Sequence, residues 1–310
     1  MDINAIMELA NEAAKTNDQS VEQTGFVREL PPEGFTPARL ISYIELGKHF
    51  QEFEGKKKDK ADNMVRLEFE LLGDQHRTEY EVDGEKRVRY NRIVEEMPIS
   101  QNAKAGYWKL FNKMANGNDQ IKHMGQMIGH MKFVIEVKHT VSKKDKNKKY
   151  VFLKHDGEWK IQTNFMTNPM TNEVMEIPVP EAHSDLRILL WDNVNKEQWD
   201  SIFIDGTYKR TIDGKEVERS KNFLQEKCIN AENFAGSPLE GMLAGLGLDI
   251  TPDPKPEESS VPETLEGGDD LPPPPAEDKE PEGKTETSTT ASPSEGDAAM
   301  AFLQGLQSQS

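Results

Sequence analysis

A chain of 310 residues can hold one large domain or two smaller ones, yet only 35% of this one is hydrophobic and its formal net charge is −17, so part of it stays outside any packed core. The acidity has an address, because residues 251–310 contain fourteen Asp and Glu against three Lys, a net −11, which leaves −6 for residues 1–250. The single cysteine, Cys228, excludes an intramolecular disulfide and a multi-cysteine zinc site; no apolar run reaches the roughly 20 residues of a membrane span, and the N-terminus lacks the basic-then-apolar order of a signal peptide, so we expect a soluble, intracellular protein without a cofactor.

The chain opens with MDINAIMELANEAAK, where Ile3, Ile6, Met7 and Ala10 recur at helical spacing, and continues through the polar stretch TNDQSVEQTG. Residues 1–33 are therefore expected as a short amphipathic helix on a tether. From Phe35 the period becomes two: in PARLISYIEL, Ala38, Leu40, Ser42, Ile44 and Leu46 fall on one face, and Arg39, Ile41, Tyr43 and Glu45 on the other. After a charged loop, NMVRLEFELLG alternates Val65, Leu67, Phe69 and Leu71 with Met64, Arg66, Glu68 and Glu70 and predicts a second strand. The turn signal VDGE leads into KRVRYNRIVEEM, read as a third.

A helix interrupts the strands. In SQNAKAGYWKLFNKMANG, Ala103, Tyr107, Leu110, Phe111 and Met114 form a helical stripe, with Ser100 as N-cap and Asn116–Gly117 as terminator. MKFVIEVKHTV then alternates as a fourth strand and YVFLKH supplies a fifth. Three strands, a helix and two strands is the order of an OB-fold, so residues 34–160 are expected as a five-stranded OB-fold-like barrel. The fold class is thus mainly β with α additions: a barrel, a helical and irregular extension, and a disordered acidic tail.

An OB barrel takes oligonucleotides on strands 2–3 and between its first and fourth loops. Here the loop between strands 1 and 2 gathers Lys48, Lys56, Lys57, Lys58 and Lys60, and the loop between strands 4 and 5 gathers Lys143, Lys144, Lys146, Lys148 and Lys149. Either cluster alone reads as a solvated turn; their coincidence at the two binding loops points to phosphate neutralisation. Arg39, Tyr43 and Arg66, with Tyr150, Phe152 and Lys154, fall opposite the faces assigned to the core and are expected to stack on bases and clamp the backbone.

Residues 161–250 begin irregular and proline-punctuated, then carry Trp191, Trp199, Phe203, Phe223 and Leu224, which need burial; KEQWDSIF and SKNFLQEKCINAENF read as helices. This extension is expected to pack on the barrel. Residues 251–296 form a Pro-rich acidic tail, whose LPPPP favours extended polyproline. Residues 297–310 gather Ala299, Met300, Phe302, Leu303 and Leu306 as an apolar tip. Asp269, Asp270, Met300, Phe302 and Leu303 are the candidate partner-docking residues.

Three blocks, PPEGFTPARLISYIELG with VRLEFELLG, the mid-chain helix before IGHMKFVIEVKH, and LLWDNVNKEQWDSIFIDGTYK with NFAGSP, resemble the single-stranded DNA-binding proteins of tailed phages over roughly residues 30–240. The resemblance implies an OB-fold, no catalysis, and a protein that coats single-stranded DNA during phage replication, recombination and repair in the cytoplasm of the infected bacterial host. It also implies an acidic tail that recruits a polymerase, helicase or recombinase. Tails of that family often end on an acidic residue with a terminal aromatic, whereas this chain ends QGLQSQS. Oligomeric state stays open.

Rival readings are weaker. IEVK puts Glu136 and Lys138 two apart on a strand, as half of a metal-dependent nuclease motif, but the further carboxylates Asp74 and Asp83 sit in turns. His123 and His130 are seven apart and make no metal spacing. A virion or scaffold protein would account for the tail and not for the paired basic loops.

Overall fold

The computed structural model describes residues 30–53, 56–82, 84–141, 149–167, 172–212 and 215–247. In chain order its elements begin with β1 (Gly34–His49), the short pair β2 (Glu52–Phe53) and β3 (Lys56–Lys57), and β4 (Asp62–Leu71). The hairpin β5 (Arg77–Val82) and β6 (Glu85–Tyr90), β7 (Arg92–Pro98) and helix α1 (Gly106–Ala115) follow. Next come β8 (Phe133–Val137), β9 (His139–Val141), β10 (Lys149–Val151), β11 (Lys154–His155), β12 (Glu158–Trp159) and β13 (Ile161–Thr163). The chain continues through β14 (Phe165–Thr167), β15 (Val174–Glu176), β16 (Arg187–Leu189), α2 (Lys196–Ser201), the hairpin β17 (Thr207–Ile212) and β18 (Lys215–Ser220), α3 (Phe223–Ile229) and α4 (Pro238–Gly245).

The fold is mainly β, built on a central sheet in the order β13-β8-β1-β4-β7. β1 is its spine. One edge pairs antiparallel with β4 from Ala38↔Leu71 to His49↔Asp62. The other edge is shared: β8 runs antiparallel along Gly34–Ala38, and β16 runs parallel along Ser42–Ile44. Among the described residues the sheet does not close into a barrel. The stretch expected as a fifth strand folds instead into two local hairpins, β9 with β10 and β11 with β12. Its place beside β8 is taken by β13, from the segment expected to be irregular. β13 brings Ile161 into the core in register with Ile135, whereas Leu153 of YVFLKH reaches the same core with its N–H held by the Glu95 side chain rather than by a ladder partner.

The expected third strand also divides. Residues 85–90 pair back on 77–82 as a hairpin, and only Arg92–Pro98 joins the sheet, along β4.

The expected faces of β1 are corrected by a bulge. Pairing with β4 skips from Leu40↔Phe69 to Ser42↔Glu68, so Ile41 is the extra residue and the side-chain phase advances by one. Leu40 and Tyr43 therefore share a side, and Tyr43 enters the core with Val65, Leu67 and Phe69. That first core is closed by Tyr107, Leu110 and Met114 of α1 and by Phe133, Ile135 and Ile161. α1 ends on Asn116 in the left-handed region at φ 49°, as its Asn-Gly signal predicts. It begins later than Ser100, whose hydroxyl takes the Asn102 N–H at 3.3 Å, because Ala105 precedes the first helical residue.

A second core forms where the chain from Leu189 to Leu243 covers the far end of β1. Ile44, Leu46 and Met64 meet Leu189, Trp191, Trp199, Leu224, Cys228 and Phe234 there. Phe203, expected to need burial, is 54% exposed, because α2 ends at Ser201 and the chain turns outward before β17. The helices are held by their caps: Asn195 accepts the Gln198 N–H at 2.9 Å for α2, and Ser237 accepts the Glu240 N–H at 3.2 Å for α4, with Pro238 at its first position. Among the described residues no helix is long and apolar enough to cross a membrane.

Candidate nucleic-acid interface

Three of the residues expected on an outward binding face lie inside the molecule. Arg39 is 2% exposed. Its guanidinium donates to the carbonyls of Pro180 at 2.7 Å, Gly129 at 2.5 Å and Val179 at 3.2 Å, and pairs with Glu181 at 3.1 Å. Arg66 is buried against Glu68 at 3.1 Å and under the Phe223 ring at 5.1 Å. Tyr43 is buried and its hydroxyl donates to Glu45 at 3.0 Å. The outward face of β4 is occupied too. Glu68 also takes Arg187 at 2.5 Å, and Glu70 accepts the His183 N–H at 2.7 Å together with the Ser184 hydroxyl. These charges clamp residues 177–187 to the sheet, so the broad strand face expected to bind a strand is already covered by protein.

The two lysine clusters fare differently. The loop after β1 keeps Lys48, Lys57, Lys58 and Lys60 exposed. Lys57 sits over the Phe50 ring at 4.6 Å and Lys58 pairs with Asp62 at 3.2 Å. Lys56 pairs with Phe53 through the backbone of β3. Lys143, Lys144, Lys146 and Lys148 lie outside the described residues, as do residues 1–29 and the proposed docking residues Asp269, Asp270, Met300, Phe302 and Leu303. Register sets the described flanks of the two loops apart: Val137 of β8 pairs with Gly34, while the first loop leaves from His49. They stand at opposite ends of a 16-residue strand.

A cleft of about 750 Å³ opens at the Gly34 end of β1, lined by Phe35, Gln75, Lys138, Thr140, Val141 and His155 and equally by the carboxylates Glu33, Glu136 and Asp156. Two of these carboxylates are engaged. Glu136 holds Lys138 at 3.0 Å and Lys160 at 4.0 Å, and Glu33 accepts the His139 N–H at 2.7 Å. The His155 ring bonds Thr140 at 3.2 Å, and burial holds its pKa below the usual imidazole value, so it adds no charge near neutrality. Above the cleft, exposed Lys149 precedes Tyr150 and Phe152, which are half-buried with ring centroids 6.1 Å apart. Lys154 is half-buried on β11.

The arm carrying these residues is fixed at its root. Leu153 enters the first core, its N–H donates to the Glu95 carboxylate at 2.5 Å, and its carbonyl accepts the Lys160 N–H at 2.7 Å. Glu136 and Lys138 form an ion pair at 3.0 Å, and among the described residues no group of three or more His, Cys, Asp or Glu is placed to hold a metal ion.

The expected turn VDGE joins two strands of six residues, and the first of them, RTEYEV, is a strand missing from the expected order; its signal is Tyr80 and Val82 alternating with Glu79 and Glu81 ahead of that turn. No family model, no curated protein and no solved structure matches this chain.

Proposed function

We propose that the protein is a non-enzymatic single-stranded DNA-binding protein. The observation that carries this reading is the cleft lined by Lys138, Thr140 and Val141, where β9 pairs with the strand carrying Tyr150, whose ring neighbours Phe152, in a stretch of sequence dense in lysine. Lysines neutralise phosphates and release counterions, and aromatic faces stack on bases without regard to sequence. The sheet order supports an OB-type origin: β1, β4 and β7 form a meander, α1 follows, and β8 returns along the other edge of β1. Between β7 and the 149–155 segment, the Glu95 to Leu153 bond stands where a ladder would close the barrel, which fits the partly open form of that fold. Exposed strands of replicating or recombining DNA in a phage-infected bacterium are the proposed substrate, with replication or recombination proteins recruited through the C-terminal tail.

The test is a titration with oligo-dT, duplex DNA and RNA of equal length at two salt concentrations. Tight oligo-dT binding that weakens steeply with salt is expected, with duplex bound less well. Preference for duplex, or no binding at low salt, rejects the function.

A further inference from the structure

The β5–β6 hairpin stands beside the cleft. Its root is tied to the start of β1, where the Gly73 N–H donates to the Thr36 hydroxyl at 3.1 Å and the Leu72 N–H to the Pro37 carbonyl at 2.8 Å. Gln75, two residues before the hairpin begins, lines the cleft wall opposite Lys138–Val141. The hairpin thus starts two residues from the lining of this cavity.

The hairpin has two unlike faces. Directly opposed residues of an antiparallel pair share a face, so Arg77 with Tyr90 and Glu79 with Val88 lie on one side, and Thr78 with Arg89 and Tyr80 with Arg87 on the other. The first side is braced by protein. His183 bonds the Val88 carbonyl at 2.9 Å and its ring meets the Tyr90 ring edge-on at 5.6 Å. Burial alternates to match, with Val88 and Tyr90 half-buried while Arg87 and Arg89 are exposed. The second side faces solvent. There Tyr80 is 39% exposed, the Arg89 guanidinium lies 5.7 Å from its ring centroid, and Arg87 makes a 3.4 Å contact to Glu85 at an exposed position.

We infer that this Tyr80, Arg87 and Arg89 face is a second nucleic-acid contact. The inference rests on the single-stranded DNA reading above and adds to it the surface that the strand follows on leaving the cleft. A tyrosine ring and a guanidinium plane offer stacking faces for unpaired bases, and two arginines offer bidentate donors to phosphate. A surface ion pair such as Arg87 with Glu85 contributes little and exchanges readily for a phosphate partner. The hairpin is rooted at the Gly34 end of β1, the end at which the cleft also opens. The lysines beyond His49, at the other end of β1, are not part of this contact.

The experiment uses the full-length chain and two variants, Tyr80→Ala and the double variant Arg87→Ala with Arg89→Ala, titrated with oligo-dT across a salt series. The altered side chains lie outside both cores, and unchanged thermal unfolding of each variant checks that the fold is kept. Tyr80→Ala is expected to weaken binding roughly 5- to 100-fold. The double variant is expected to lower the salt slope by about 0.7 for each lost phosphate contact. Ultraviolet crosslinking of wild type to oligo-dT should yield a labelled peptide containing Tyr80. If wild type binds and both variants match it in affinity and slope, the hairpin is not a contact and only this inference falls, leaving the hairpin face for a protein partner. If wild type itself fails to bind at low salt, the single-stranded DNA reading falls and this inference with it.

Discussion

Burial pushes the Glu95 carboxyl up to about 7, from an ordinary 4.5, although the Leu153 N–H and nearby Lys154 both pull it down. Between pH 4.5 and 7 the folded chain therefore binds more protons at this site than the unfolded chain, so its contribution is full below 4.5 and lost as pH rises through 7. The loss approaches about 3 kcal/mol at most. Burial moves His76 the other way, down to about 4, so its neutral ring favours the folded state above pH 6.5 and costs stability as pH falls toward 4. Glu95→Gln keeps an acceptor for Leu153 and carries no charge. We expect urea unfolding to show the variant gaining on wild type as pH rises from 4.5 to 7, leaving the rising His76 trend unopposed; parallel wild-type and variant profiles would place Glu95 in water.

Gly47 gives a second prediction at this scale. It sits at φ 80° beside the second bulge of β1, and a Cβ there would lie 2.5 Å from Trp191 and 2.5 Å from the Ala231 Cβ. Gly47→Ala therefore combines a left-handed backbone penalty of about 1 kcal/mol with overpacking of about 1–3 kcal/mol. The sum should lower the urea midpoint without changing the m-value, and a midpoint within error of wild type would mean that the second core yields freely at Trp191.

At the scale of elements, legibility followed alternation. β4 was readable because Val65, Leu67, Phe69 and Leu71 keep a strict period of two and all reach the first core. β1 was readable as a strand and not in its faces, since one unpaired residue, Ile41, moves Tyr43 from solvent to core and no residue type announces that skip. Arg39, Arg66, Glu68 and Glu70 misled for a related reason. Polar residues alternating with apolar ones normally mark water, but here residues 177–187 supply carbonyls, Arg187, and the hydroxyl and N–H of Ser184 from more than 110 positions away, and local pattern does not register such partners. The expectation that the lysine-rich stretch 138–160 binds a strand rests on local composition alone. Neutralising Lys143, Lys144, Lys146, Lys148 and Lys149 should lower the salt slope for oligo-dT by roughly 0.7 per lost contact and leave base preference alone. Phe152→Ala should cost about 1–3 kcal/mol of binding if its ring stacks on a base; a fall in unfolding temperature with affinity intact would return the ring to the packing of the arm.

On the scale of the whole molecule, charge is divided along the chain: residues 251–310 carry −11 of the −17, while lysines cluster in the sequence at 56–60 and 143–149. A covalently attached polyanion competes with DNA for the same cations at an effective concentration set by its tether. The attraction is screened over about 10 Å at 0.1 M salt and about 3 Å at 1 M, so its strength declines as salt rises. A chain ending at residue 250 should therefore bind oligo-dT more tightly than the full chain at low salt, and the two affinities should converge as salt is raised. The same truncation should abolish recruitment of a polymerase, helicase or recombinase, because Met300, Phe302 and Leu303 leave with it. Equal low-salt affinities would show that the tail does not compete and serves only as a tether, and partners retained by the shortened chain would move the docking surface onto the folded region.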